Sequence, residues 1–226
     1  MDLLRGLKKA FLLTSGGKDS ILAGHLAKEE GIDLKGLITL IPEDKESWLF
    51  HTYNLNWVSM IAQSMNLDLI LAKVEKGREL EGLKNTLKDL DMDLLVTGGV
   101  SSNYQRVRFS EACKAHNIDL YSPLWGKRGE EVYNMILERN MKVMVIAVAA
   151  YGLDDSWLGR ILDRDSIRRL IDLSKKYGFD PIGEGGDLDT FVLKAPLYRY
   201  ELKVKRYKKF WYGDRGFLEI EDMSFS

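Results

Sequence analysis

The chain has 226 residues, 45% of them hydrophobic, with 33 basic and 34 acidic side chains and a net charge of −1. This allows one large domain or two modest ones with a sizeable core, and it creates no global field for a polyanion, so neither stable nucleic-acid binding nor a membrane partner is expected. The single Cys113 excludes a disulfide framework within the chain and any multi-cysteine metal site, while Asp2, Arg5, Lys8 and Lys9 interrupt any signal-like N-terminus, so a reducing, cytoplasmic location is expected.

In chain order, the apolar run Ala10-Phe11-Leu12-Leu13-Thr14 predicts a strand. Ser15-Gly16-Gly17-Lys18-Asp19-Ser20 follows it and opens a helix through Leu22, His25 and Leu26, with Gly31 at its C-cap. The segment 34–41 reads as a second strand ending at Pro42. A charged loop, 43–47, then leads to a helix from about Trp48 to Met65. Strands are expected at 69–74 and 93–97, separated by a helix carrying Leu80, Leu83, Leu87 and Leu90. A further helix is expected from Ser102 to about His116, with Cys113 in its core face, and a short strand at 119–121. Short apolar strands alternating with amphipathic helices predict a doubly wound parallel sheet, α/β in class.

Pro123 and Trp125-Gly126-Lys127-Arg128-Gly129 break this alternation, which places a domain boundary there: 1–125 for the nucleotide domain and 126–226 for a smaller α+β domain. Beyond it a helix at 130–139, a strand at 143–148 and a helix at 166–177 ending on Gly178 are expected. Thr190-Phe191-Val192-Leu193, the alternating stretch 198–211 and a final strand after Gly216 complete a β-rich end.

Strand, glycine turn and helix in that order make an anion site. The N–H groups of Gly16 and Gly17 form a nest, Ser15 and Ser20 offer hydroxyls, and Lys18 offers a point charge. Asp19 would repel a bare phosphate, so a Mg²⁺ bridge or a structural bond is its expected use. Thr97, Gly98 and Gly99 end the strand expected to share the same rim. The spacing is not that of the Walker loop, which has four residues between its first Gly and its Gly-Lys. It resembles the PP-loop, Ser-Gly-Gly-x-Asp-Ser, of ATP pyrophosphatases, which implies that ATP is split into AMP and pyrophosphate here.

Two more constellations stand out. Tyr104, Gln105, Arg106 and Arg108 open a helix facing the rim, and either arginine could neutralise phosphate or grip a carboxylate, the other being left to pair with Glu111. Gly183-Glu184-Gly185-Gly186-Asp187-Leu188-Asp189-Thr190 concentrates three carboxylates among glycines before a strand, suited to Mg²⁺, to deprotonating an ammonium nucleophile or to a cationic substrate.

Together with the PP-loop and Phe50-His51-Thr52-Tyr53-Asn54, these stretches resemble the diphthine ammonia ligase family over nearly the whole chain, in its short archaeal form without the further C-terminal domains of eukaryotic members. The resemblance implies a HUP-like nucleotide domain and a smaller domain that helps bind a protein substrate, translation elongation factor 2 bearing diphthine. It also implies ATP with Mg²⁺, free ammonia as nitrogen source, and amidation through an acyl adenylate; homo-oligomerisation is left open. Lys18, Asp19, Arg106 and Glu184 become the candidate catalytic residues, Asp19 the candidate metal ligand, and Gly185, Gly186, Asp187, Asp189 and Thr190 candidate substrate contacts. The last family motif usually reads Gly-Glu-Gly-Gly-Glu-Tyr-Glu-Thr with an Asp before Ala-Pro; here Asp187, Leu188, Asp189 and Lys194 differ, each shortened acid losing about 1.5 Å of reach. A PP-loop ligase for another carboxylate and a non-catalytic nucleotide-binding module are the alternatives.

Overall fold

The computed structural model describes residues 8–42, 54–75 and 77–226. Its first part contains β1 (Lys9–Leu13), α1 (Lys18–Glu29), β2 (Asp33–Pro42), α2 (Val58–Met65), β3 (Asp68–Val74), α3 (Glu79–Leu87), β4 (Leu94–Val96), α4 (Asn103–Lys114) and β5 (Asp119–Tyr121). The five strands are all parallel, in the order β3-β2-β1-β4-β5. Side chains alternate across them as a pleated strand requires. Ala10, Leu12, Leu37, Leu94 and Val96 face one core with Ile21, Leu22 and Ile61 from α1 and α2. Phe11, Ile38 and Leu95 face the other, with Leu83 and Leu87 of α3 and Ala112 and Cys113 of α4. Helices therefore cover both faces, and the expected doubly wound α/β sheet is what forms.

The second part contains α5 (Gly129–Glu138), β6 (Lys142–Val148), α6 (Arg164–Tyr177), β7 (Leu188–Lys194), β8 (Leu202–Trp211) and β9 (Gly216–Phe225). Its four strands form a separate antiparallel sheet, β7-β6-β9-β8. Asp163 caps α6 by accepting from the Ser166 N–H at 2.8 Å, and Gly178 ends it in the left-handed conformation at φ 80°. One hydrophobic core runs from Ala10 in β1 through Trp157 to Met223 in β9, so the two sheets are packed into a common interior.

Two boundaries differ from expectation. Strand β7 begins at Leu188, so Leu188 and Asp189 lie in the ladder, opposite Val148 and Ala147, and only Gly183–Asp187 are turn. The helix expected from Trp48 starts, within the described residues, as a 3-10 turn at Leu55–Trp57 leading into α2. Residues 43–53, including Phe50-His51-Thr52-Tyr53, lie outside the described residues.

Strand order reverses between β1 and β4, and ligands of such sheets bind beyond the carboxyl ends of the strands at that point. The segments leaving β1 and β4 are Thr14–Gly17 and Thr97–Ser102.

Candidate active site

A cleft of about 470 Å³ opens at this reversal. Its floor is the loop after β1, whose shape comes from contacts on both sides. Thr14 accepts from the Gly16 N–H at 2.9 Å, and its hydroxyl lies 2.6 Å from that of Ser20, which donates to the Gly17 carbonyl at 3.0 Å. The loop then rests on β7: the Gly16 carbonyl accepts from Val192 N–H at 2.9 Å, and Lys18 N–H donates to the Thr190 hydroxyl at 3.1 Å. Gly16 has φ +85°, and a Cβ there would meet the Phe191 ring at 2.8 Å, so glycine is required twice over. Helix α1 starts with no side-chain cap from Gly17, and although Lys18 N–H is taken by Thr190, the positive end of the helix favours an anion in the cleft that Gly17 to Ser20 line.

The second wall is the loop after β4. A Cβ on Gly98 would lie 2.4 Å from Ser20 N, so this residue lets the two loops touch, whereas Gly99 has open space around it. The Ser102 side chain caps α4, and α4 brings Tyr104, Gln105 and Arg108 into the lining. The third wall is the Gly183–Thr190 stretch, with Glu184, Asp189 and Thr190 lining the cleft.

Charge in the cleft is held closely. The Lys18 ammonium donates to the Asp19 carboxylate at 2.9 Å and to the Ile182 carbonyl at 2.6 Å, and Lys18 is only 1% exposed. Burial pushes the Asp19 carboxyl above its usual range, against the opposing pull of Lys18 and with added like charge from Glu184 and Asp180. The Asp19 Oδ1 atom is buried and has no hydrogen-bond partner. The Glu184 carboxylate accepts from Val100 N–H, from Ser101 N–H at 2.7 Å and from the Ser101 hydroxyl.

Residues 8–120 match the family described as the diphthamide synthase N-terminal domain, and residues 110–225 match the diphthamide synthase C-terminal domain. The chain belongs to the diphthamide synthase family. Relatives named diphthine–ammonia ligase include one from Homo sapiens, 31% identical over 85% of this chain and 81% of that one, and one from Danio rerio, 28% identical over 95% and 93%. The Schizosaccharomyces pombe relative is 30% identical over 84% of this chain but only 35% of its own length, so the eukaryotic relatives differ widely in length. Among solved structures, a predicted subunit of tRNA methyltransferase from Methanocaldococcus jannaschii is similar at TM-score 0.46, with 15% identity over 84% of this chain and 98% of that one.

In this member of the family the candidate residues occupy distinct places around the cleft. Ser15, Gly17, Lys18, Asp19 and Ser20 line the cleft together with Thr97, Gly98 and Gly99. Gly16 sits beneath the loop on Phe191. Tyr104 and Arg108 line the cleft as a pair, the guanidinium 3.8 Å over the ring. Arg106 is not among the lining residues; it stacks on Trp125 at 4.2 Å. Glu111 pairs with Lys84 at 2.9 Å and with neither arginine. Gly185, Gly186 and Asp187 stand back from the cleft, and Asp187 accepts from Asp180 N–H at 3.2 Å within the turn. Of the positions that depart from the usual motif, Leu188 is buried and Lys194 is exposed, 3.9 Å from Glu201.

Sequence reasoning missed the apolar end of the cleft, made by Leu13, Leu40, Pro42, Val74, Leu83 and Phe109. Leu13, Leu40, Pro42 and Val74 lie at or near the carboxyl ends of β1, β2 and β3, so the rule that located the two loops also pointed here. Asn54, the last residue of the stretch 50–54 named from the sequence without a role, donates its amide to Leu218 O and accepts from Ile220 N–H, both at 2.9 Å, and so ties the cleft to β9. Cys113 is buried in α4 with its thiol pushed up to about 12 by burial, which leaves it no nucleophilic role. Among the described residues no helix is long and apolar enough to cross a membrane.

Proposed function

We propose that this chain amidates diphthine on translation elongation factor 2, using ATP and free ammonia and releasing AMP and pyrophosphate. The observation that carries this reading is the convergence of three family stretches, the loop at 15–20, the start of α4 and the turn at 183–190, on one cleft at the strand reversal. The substrate carboxylate attacks the α-phosphorus of ATP, pyrophosphate leaves, and ammonia displaces AMP from the acyl adenylate. The chain's part is to position and neutralise. The diphosphate lies at the N-terminus of α1 beside Ser15 and Ser20, and the nucleoside occupies the apolar end between Leu40 and Phe109. Arg108 and Tyr104 face the acyl group from α4.

Mg²⁺ fits the buried, unpartnered Asp19 Oδ1 atom. No group of three or more acidic, His or Cys side chains able to hold a metal exists among the described residues, so Asp19 would share the ion with phosphates and water. Bound there, it would offset charge on the phosphates. Residues 1–125 form the nucleotide domain and 126–226 the domain that supports substrate binding, and the chain works in the cytoplasm with its elongation-factor partner.

The test is AMP and pyrophosphate release from ATP, Mg²⁺ and ammonium, with and without elongation factor 2 carrying diphthine, alongside the mass of that factor. Release that depends on the factor, with hydroxyl replaced by amide in its mass, is expected, and Asp19→Asn should abolish it. AMP formation with another carboxylate alone would overturn the substrate. ATP binding without cleavage would favour a nucleotide-binding module.

A further inference from the structure

The turn at 180–184 is gripped from two sides. On one side Lys18 is buried, and its ammonium donates to the Ile182 carbonyl at 2.6 Å. Tyr133, fully buried, donates its hydroxyl to the neighbouring Pro181 carbonyl at 2.5 Å, and its ring lies 5.8 Å from the same ammonium. On the other side Glu184 spends both oxygens on the Val100 and Ser101 N–H groups and the Ser101 hydroxyl. Between the grips Asp180 braces the turn, accepting from Ile182 N–H at 3.0 Å and Glu184 N–H at 3.3 Å.

Each end reaches a different loop of the ATP site. Lys18 belongs to the phosphate loop, and Val100 and Ser101 belong to the loop that starts α4 and carries Tyr104 and Arg108. An ammonium already given two acceptors in a buried place has little left for a phosphate, and a carboxylate whose two oxygens already take three donors has little left for another partner. We infer that Lys18 and Glu184 are positioning residues that lock the phosphate loop and the α4 loop to one another through the 180–184 turn, and that neither touches the nucleotide. The turn thereby sets where Arg108 stands relative to the open end of α1. The inference rests on the proposed ATP-dependent amidation for its catalytic consequence, but its structural core does not.

Amide hydrogen exchange and ATP binding by calorimetry test it without any turnover. Glu184→Gln puts a donor where an acceptor stood and should speed exchange of the 99–102 segment by about tenfold, an opening worth about 1.4 kcal/mol. Lys18→Met keeps the length of the side chain without its charge. It should speed exchange in that same segment by a similar factor, although residue 18 makes no bond to it, while the ATP dissociation constant moves by less than about threefold. In turnover assays each substitution should lower kcat/KM for the protein substrate by about tenfold with KM for ATP nearly unchanged, and the double variant should be little worse than either alone.

The inference is overturned if Lys18→Met weakens ATP binding by about tenfold or more with exchange at 99–102 unchanged, since Lys18 would then be a phosphate ligand. It is equally overturned if Glu184→Gln shifts a limb of the pH–rate profile with exchange unchanged, since Glu184 would then be a base. Should Lys18→Met fail to fold, Tyr133→Phe releases Pro181 from the same side and must speed the same exchange. A wild-type chain that never amidates the factor would sink the proposed function and leave the exchange and binding results to decide the lock.

Discussion

The two sheets answer water in opposite ways. In the parallel sheet, β1 buries Ala10 and Leu12 on one face and Phe11 on the other, so the middle of the strand is closed to solvent on both sides. In the antiparallel sheet, the edge strand β8 exposes Lys203, Lys205, Arg206, Lys208 and Lys209, a row of charge that also discourages strand pairing with another chain. The first sheet is therefore an inflexible base for the loops at its rim. The second is permissive at β8 and strict at β7, where Thr190 and Val192 support the phosphate loop.

The largest effect should come where the rim loops touch. Gly98→Ala places a Cβ against the backbone of α1 and should cut AMP release by about 100-fold, the cost of a displacement near 1 Å at a reacting centre. Gly99→Ala, one residue on and facing open space, should leave the rate within about twofold, well inside the small effects typical of unconstrained sites. Equal losses would show that the loop, and not the contact, is what matters.

The next effect separates the sheets themselves. Leu12→Ala, from a fully buried position, should cost about 2–5 kcal/mol in denaturant unfolding, whereas Lys205→Ala on the exposed edge should stay within about 0.5 kcal/mol. The smallest effect concerns His25, on α1 against the parallel sheet. Burial holds its pKa below the ordinary 6.5, outweighing the upward pull of Glu29 3.1 Å away, and its Nδ1 is buried without a partner. The unfolded chain then takes up this proton first, so the contribution of His25 to stability is whole above the ordinary value and is lost as pH falls below it. His25→Gln should flatten that part of the stability profile measured by unfolding at pH 5 to 8.

Much of this was legible from local pattern. The run 10–22 announces strand, loop and helix because its apolar spacing changes period on either side of two glycines, and the structure adds only the partners. Gly31 was readable as the end of α1 for the same reason: it sits at φ +81°, and the bonds Gly31 N–H to Lys28 O and Ile32 N–H to Ala27 O close the last turn. What stayed hidden depends on distant residues. The first residue of a helix can leave its side chain free or spend it on a distant partner, and the Lys18 ammonium is spent because a carbonyl 164 positions away receives it. The start of β7 was set two residues late because acids at 187 and 189 suggest a turn, while pairing with β6 draws Leu188 and Asp189 into the ladder.

The Thr190 hydroxyl that receives the Lys18 N–H lies 172 residues further along the chain. During synthesis the ribosome delivers the loop after β1 well before its support, which follows only after both α5 and α6 have emerged. A nascent chain halted before β7 has the strand and the glycines but neither Thr190, Val192 nor the ring under Gly16. The loop therefore takes its final shape only once β7 has been made and folded back against it.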